Sequence, residues 1–204
     1  MRIDRVARIV LCSFILFSTQ FLSAQNPIID ENSKPGNPST EWDVVGSGDQ
    51  TIQGYATEIS VNKGETVRFK VNITGTNKNF SIRIYRIGYY QGNGARLVTS
   101  IGPVAGVTQP SPITNATLGL IDCGNWSQSA SWAVPTTAVS GVYIARLIRA
   151  DNGGASHIVF IVRDDASASD ILFKTSDATW QAYNPYGGSS LYVGSTSFGN
   201  GHAV

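Results

Sequence analysis

From Val67 to Thr74 apolar and polar residues alternate strictly, Val67, Phe69, Val71 and Ile73 against Arg68, Lys70, Asn72 and Thr74. A strand sends successive side chains to opposite faces, so this segment predicts one face in a core and one in water. The pattern recurs at Phe80, Ile82 and Ile84, with Arg83 and Arg86 placed outward. Val142 to Ile148 and Ile158 to Val162 carry denser apolar content, which predicts central strands joined as a hairpin across Asp151-Asn152-Gly153-Gly154. Trp42 to Val45 predicts a first strand ended by Gly46-Ser47-Gly48, and Ile52 to Val61 one or two more. Asn62-Lys63-Gly64-Glu65 reads as a tight hairpin-type turn in which Gly64 takes a positive φ. No stretch here repeats at a helical period with caps, so the expected packing is an antiparallel Ig-like or fibronectin-like β-sandwich over residues 41–165. The Cys…Trp…Cys spacing of true immunoglobulin domains is absent, so the expected likeness is one of architecture.

Either side of that region the pattern changes. Residues 25–40 are rich in Pro, Asn and Ser, with Pro27, Pro35 and Pro38 spaced to break regular elements, and read as a linker. Residues 1–24 run from Arg2, Arg5 and Arg8 through an apolar stretch, Ile9 to Phe17, to Leu22-Ser23-Ala24. That order is the one of a secretory signal, and the apolar run falls short of the roughly 20 residues of a spanning helix. Cleavage after Ala24 would place the protein in the periplasm, at the cell surface or outside the cell, with no membrane segment left. At Asp164 to Ser169 the composition turns small and polar, and Ile171-Leu172-Phe173 then has the continuous apolar run of a strand buried on both faces. Residues 166–204 are therefore expected to open an α/β domain that continues past Val204, with the missing C-terminal region of the same chain as its partner.

Charge removes two classes of ligand. Fifteen Lys and Arg against 14 Asp and Glu leave a net charge of +1, too little field to recruit nucleic acid or an anionic membrane. Loss of Cys12 with the signal would leave Cys123 as the one thiol, read as a small buried hydrophobe with no intrachain partner.

Two aromatic groups carry candidate chemistry. Trp126 and Trp132, with Tyr89 and Tyr90, would suit an exposed stacking platform for sugars, since amphipathic rings match pyranose faces; core packing is the competing reading. Trp180, Tyr183, Tyr186 and Tyr192 crowd together beside Gly187-Gly188, just after the expected buried strand. Loops at such strand ends carry the chemistry of α/β sheets, and a phenolate there can coordinate a hard Lewis-acidic cation; simple aromatic packing competes equally. Ser156, His157 and Asp151 only superficially suggest a triad, because a hairpin places them by strand pairing. Tyr89 to Arg96 is glycine-rich, but strand-like Leu97-Val98 follows it, so it reads as a hairpin turn and not a phosphate cradle.

Glu41-Trp42-Asp43, Tyr85-Arg86-Ile87-Gly88-Tyr89-Tyr90-Gln91-Gly92-Asn93-Gly94-Ala95-Arg96, Ser140 to Leu147, Ser156 to Phe160 and Thr179-Trp180-Gln181-Ala182-Tyr183-Asn184 together resemble proteins carrying the C-terminal domain of the N,N-dimethylformamidase large (beta) subunit. The likeness runs from about Glu41 to Tyr192 and is most specific at Trp180 to Tyr192. It implies a β-rich region before an α/β catalytic domain in which iron, held by two tyrosines and a glutamate, hydrolyses a small amide substrate. It assigns Tyr183 to one tyrosine ligand and puts the other two beyond Val204. The expectation is an exported, multi-module, iron-dependent amide hydrolase whose first 204 residues hold no complete metal site and are inactive alone. A carbohydrate-binding or adhesion module without catalysis is the alternative.

Overall fold

The computed structural model describes residues 26–115, 117, 120–188 and 190–192. The signal-like segment over residues 1–24, with Cys12, lies outside the described residues. Ten strands occur in chain order: β1 (Ile52–Ala56), β2 (Ser60–Asn62), β3 (Thr66–Ile73), β4 (Asn79–Ile87), β5 (Ala95–Ala105), β6 (Ile113–Asn115), β7 (Leu120–Asp122), β8 (Ala130–Ala133), β9 (Gly141–Arg149) and β10 (Ala155–Arg163). Three short helices accompany them: α1 (Pro27–Ser33), α2 (Ser39–Trp42) and α3 (Asp177–Tyr183).

The strands form a five-stranded sheet ordered β2-β10-β9-β4-β5, a three-stranded sheet ordered β1-β3-β8 and the ribbon β6-β7. Every pair is antiparallel except β10 with β2. The alternation in β3 is realised as expected: Val67, Phe69, Val71 and Ile73 are fully buried while Arg68 is exposed. Phe80, Ile82 and Ile84 of β4 and Ala145, Leu147, Ile158 and Phe160 of β9 and β10 meet them from the other sheet in one core. Phe160 is its centre, edge-on to Phe69 at 5.7 Å, near-perpendicular to Trp132 at 6.1 Å and tilted on Tyr143 at 5.7 Å. The chain is thus mainly β, with two sheets sharing one apolar interior.

The hairpin expected between β9 and β10 is present, with Gly153 at φ +74° in its turn. Gly64 takes φ +88° as the sequence requires. Its turn, however, joins strands of different sheets, because β2 pairs with β10 and β3 pairs with β1 and β8. Asn62 to Glu65 is therefore the point where the chain crosses from one layer to the other, not a hairpin.

Three expectations are corrected. Pro27, Pro35 and Pro38 do not keep residues 25–40 free of regular elements: Asn26 caps α1, its side chain accepting from Ile28 N at 3.0 Å, and Pro27 occupies the first turn. Proline has no N–H to lose there and its φ already suits a helix, so residues read as breakers are helix starters. Trp42 does not open a strand but ends α2, its Nε1 donating to Asn37 O at 3.0 Å and Asn93 O at 3.1 Å, and Val45 is 96% exposed. Ile171, Leu172 and Phe173 are not a buried strand either: they form no strand and are 84%, 93% and 78% exposed. An apolar run becomes an inner strand only where neighbours pair with it, and no described strand does.

Truncating Phe160 to Ala should cost about 4 kcal/mol of unfolding free energy, since a large ring central to a shared core leaves a cavity on both layers. Val159→Ala, on the same strand but facing out, should cost below about 0.5 kcal/mol. Urea unfolding of the two variants distinguishes a common core from sheets that merely adjoin.

Candidate functional site

The aromatic segment after β10 is a helix followed by a closed loop. Thr175 Oγ1 donates to Asp177 Oδ1 at 2.7 Å at the start of α3, and Pro185 prevents its continuation after Asn184. Asn184 Oδ1 then accepts from Tyr186 N at 3.0 Å, and Gly187 and Gly188 turn the chain back at φ +86° and +93°. Both values lie in the region that only glycine adopts freely. Leu191 N closes the loop on Ala182 O at 3.0 Å. The closure stacks Tyr192 on Tyr183, with ring centroids 4.6 Å apart and planes 27° from parallel. Tyr183 is 62% and Tyr192 56% exposed.

Tyr186 fastens this loop to the sheets. Its ring meets the ring of Trp126 edge-on at 6.2 Å, and Trp126 lies 5.9 Å from Tyr55 of β1. Trp126 Nε1 donates to Pro110 O at 3.0 Å and Tyr55 hydroxyl donates to Cys123 O at 2.7 Å, so both polar tips are satisfied. Burial, and then the neighbouring Cys123 thiol, push the Tyr186 phenol up to about 12. Burial likewise raises the Cys123 thiol against the lowering effect of its hydrogen bond with Tyr186. Cys123 is free and half-buried, between the inert packing residue expected and an accessible thiol.

The family resemblance singled out Tyr183 and placed the other two ligands beyond Val204; in the structure the Tyr183 ring stacks on that of Tyr192. What the sequence alone could not supply is the ring closure, although Pro185 and the two glycines mark where it turns. Among the described residues no group of three or more His, Cys, Asp and Glu side chains is placed to hold a metal.

The four residues of the sugar platform do not form one. Trp126 is 5% exposed, Trp132 8% and Tyr90 0%, while Tyr89 is 70% exposed. Trp132 is a core residue of β8 and Trp126 a packing plate beneath Tyr186, so neither offers a face to a pyranose. Alternating burial and an apolar core outweigh the amphipathic character that suggested exposure.

Tyr90 instead sits in a buried polar network that docks α1 on the β4–β5 turn. Its hydroxyl donates to Glu31 Oε1 at 2.9 Å and accepts from Arg86 Nη1 at 3.0 Å. Arg96 donates from Nε to the same Glu31 oxygen at 2.7 Å and also from Nη2, and Lys34 Nζ reaches Glu31 Oε2 at 2.6 Å. Arg86, expected to face water, is buried, with Nη2 donating to Ser140 O at 2.8 Å. Burial acts to raise the Glu31 carboxyl, but hydrogen bonds from Lys34, Arg96 and Tyr90 outweigh it and hold the group below its ordinary value. The residues resembling a triad are engaged separately: Ser156 Oγ donates to Ile52 O, Asp151 pairs with Arg149 at 2.7 Å, and His157 Nε2 donates to Trp42 O at 2.6 Å.

Compared with known proteins, residues 81–203 match the model of a family described as N,N-dimethylformamidase beta subunit-like, C-terminal. The match begins in β4 and so takes in most of the five-stranded sheet as well as the aromatic loop. Among curated proteins nothing matches. Solved structures with some likeness include a mutant of Salmonella alpha-2-macroglobulin, at 15% identity and a TM-score of 0.33 over 64% of this chain and 7% of that one. Another is an AA10 lytic polysaccharide monooxygenase from Streptomyces lividans, at 17% identity and a TM-score of 0.31 over 52% of this chain and 58% of that one. The chain spans less than two thirds of either.

Glu31→Gln should destabilise the protein at pH 7 by about 2 kcal/mol, between an exposed and a fully buried pair because Lys34 and Arg96 keep partial contact with water. The folded carboxyl is depressed, so its contribution is present above the ordinary value of 4.5 and disappears as pH falls through the folded value. Urea titrations at pH 7 and pH 3 should therefore show the gap between wild type and variant closing in acid; a gap constant with pH would mean the charge contributes nothing.

Proposed function

Because the chain belongs to the N,N-dimethylformamidase beta subunit-like, C-terminal family, we propose that it is part of an exported hydrolase acting on a linear amide C–N bond. The reacting end in this reading is the loop from Asp177 to Tyr192, and the two-sheet body is its mount. One observation carries it: Tyr183 and Tyr192 stand stacked and exposed on a loop that Tyr186 pins to Trp126. An aromatic segment serving only to pack would bury those two rings as it buries Trp126.

Within this reading Tyr183 donates its phenolate oxygen to an iron ion, and Tyr192 holds the Tyr183 ring in one orientation by stacking. The ion would supply Lewis acidity toward the amide carbonyl of a small substrate. Trp180, half-exposed on the same helix, lends an apolar wall beside the phenols. The charged, apolar and small-residue order of residues 1–24 supports export. Burial of Trp126, Trp132 and Tyr90 argues against the sugar-binding alternative.

The test uses the full-length protein, assayed for bound iron and for release of amine from formamide and N,N-dimethylformamide. Tyr183→Phe keeps the stacked ring and removes only the oxygen. Its expected effect is a loss of turnover beyond the roughly 100-fold typical of residues that merely support a metal ligand, together with loss of the phenolate-to-iron colour. Unchanged turnover and iron content in Tyr183→Phe, or no amide cleaved by the wild type, would sink the reading.

A further inference from the structure

A row of positive and titratable side chains crosses the outer face of the five-stranded sheet. Arg83 of β4 stands directly opposite Arg146 of β9, and Arg146 directly opposite His157 of β10. Ser100 of β5 lies on the other side of Arg83. Their neighbours Ile82, Ile84, Ala145, Leu147 and Ile158 belong to the core, so the row faces away from it. Directly opposed residues have Cβ atoms about 4.5–5.5 Å apart, and like charges at that spacing destabilise a sheet.

No ion pair among the described residues offsets the repulsion between the two arginines. In the segment packed alongside, Glu41 accepts from Asn37 Nδ2 at 3.0 Å, and Asp43 accepts from Val44 N at 2.8 Å and acts as a negative charge on His157. His157 Nε2 is committed to Trp42 O. A second, independent observation concerns Arg146, whose Nε is shielded from water and has no hydrogen-bond acceptor. A buried N–H without an acceptor is uncommon in folded proteins, and an ion is one kind of partner that would satisfy it.

We propose that this row is a binding site for an oxyanion, a carboxylate or phosphate group received between the Arg83 and Arg146 guanidinia. One such group answers both observations: it separates two opposed cations with negative charge and gives Arg146 Nε an acceptor. The planar fork of arginine matches two oxygens on one centre, which is why this ligand class fits better than a halide. Arg83 is exposed and marks the open side of the site, while His157 and Trp42 close the other. The site lies on the sheet and uses none of Tyr183, Tyr186 or Tyr192, so it stands independently of the amide hydrolase reading.

The experiment follows the arginine Nε–H resonances of the isotope-labelled full-length protein during titration with inorganic phosphate and, separately, acetate, at ionic strength held constant with chloride. A saturating shift of the Arg146 resonance by either anion is the expected result, and which anion saturates it tells phosphoryl from carboxylate ligands. Arg83→Gln, at an exposed position, should keep the fold and raise the saturation midpoint at least about 10-fold, the scale of a lost charge-assisted contact. No saturating shift of the Arg146 resonance with either anion, or a midpoint that Arg83→Gln leaves unmoved, would overturn the site.

Discussion

Two sheets press their apolar faces together through Phe69, Trp132, Tyr143 and Phe160, and that seam decides which residues of the paired strands face outward. Burying these rings removes enough apolar area to drive folding. It also fixes which residue of each strand faces in, because a slip of one position would turn a whole strand over. The arginines on the outer face of β4 and β9 are opposed because their neighbours Ile82, Ile84, Ala145 and Leu147 must lie inside. Their repulsion is thus imposed by the core, a cost that the interior contacts outweigh.

The same seam determines what can be mounted on it. Tyr55 projects from β1 on the face away from the core and reaches Trp126, and Trp126 in turn receives Tyr186. Three aromatic rings in sequence thereby connect a sheet edge to a loop more than a hundred residues later. At the opposite flank, Glu31 performs the equivalent service for α1: a single carboxylate gathers Lys34, Tyr90 and Arg96 and binds an N-terminal helix to the β4–β5 turn. One attachment is aromatic and the other ionic, so acid should loosen the second and leave the first.

Strand existence was legible in the sequence wherever period-two alternation was strict, as in β3, or apolar density high, as in β9 and β10. What alternation does not encode is which strands share a sheet. Gly64 announces a turn equally well whether β3 folds back beside β2 or departs to the other layer, and only the pairing of β2 with β10 decides it. The N-terminal helices were missed because proline was read as a breaker without regard to its position in a first turn. Ile171 to Phe173 was misjudged for the converse reason: apolar content signals burial only when a surface exists to bury against. In the candidate site, the crowding of Trp180, Tyr183, Tyr186 and Tyr192 was legible in the sequence. The stacking of Tyr192 on Tyr183 was not, since it follows from a hydrogen bond between Ala182 and Leu191 that no side-chain pattern records.

Tyrosine recurs here in such different settings that its chemistry must be argued position by position. Tyr143 is wholly buried with its hydroxyl donating to Val139 O at 2.6 Å, and burial raises its phenol well above the ordinary value. Tyr90 is raised chiefly by burial, with Glu31 adding to the effect and Arg86 opposing it. Tyr186 is raised by burial and by Cys123. In each case the surroundings penalise the phenolate and favour the neutral hydroxyl as a hydrogen-bond donor or acceptor. The packing that raises these three phenols is also what makes them structurally useful as neutral hydroxyls. Tyr183 and Tyr192 differ from them in standing stacked on each other at the surface instead of buried.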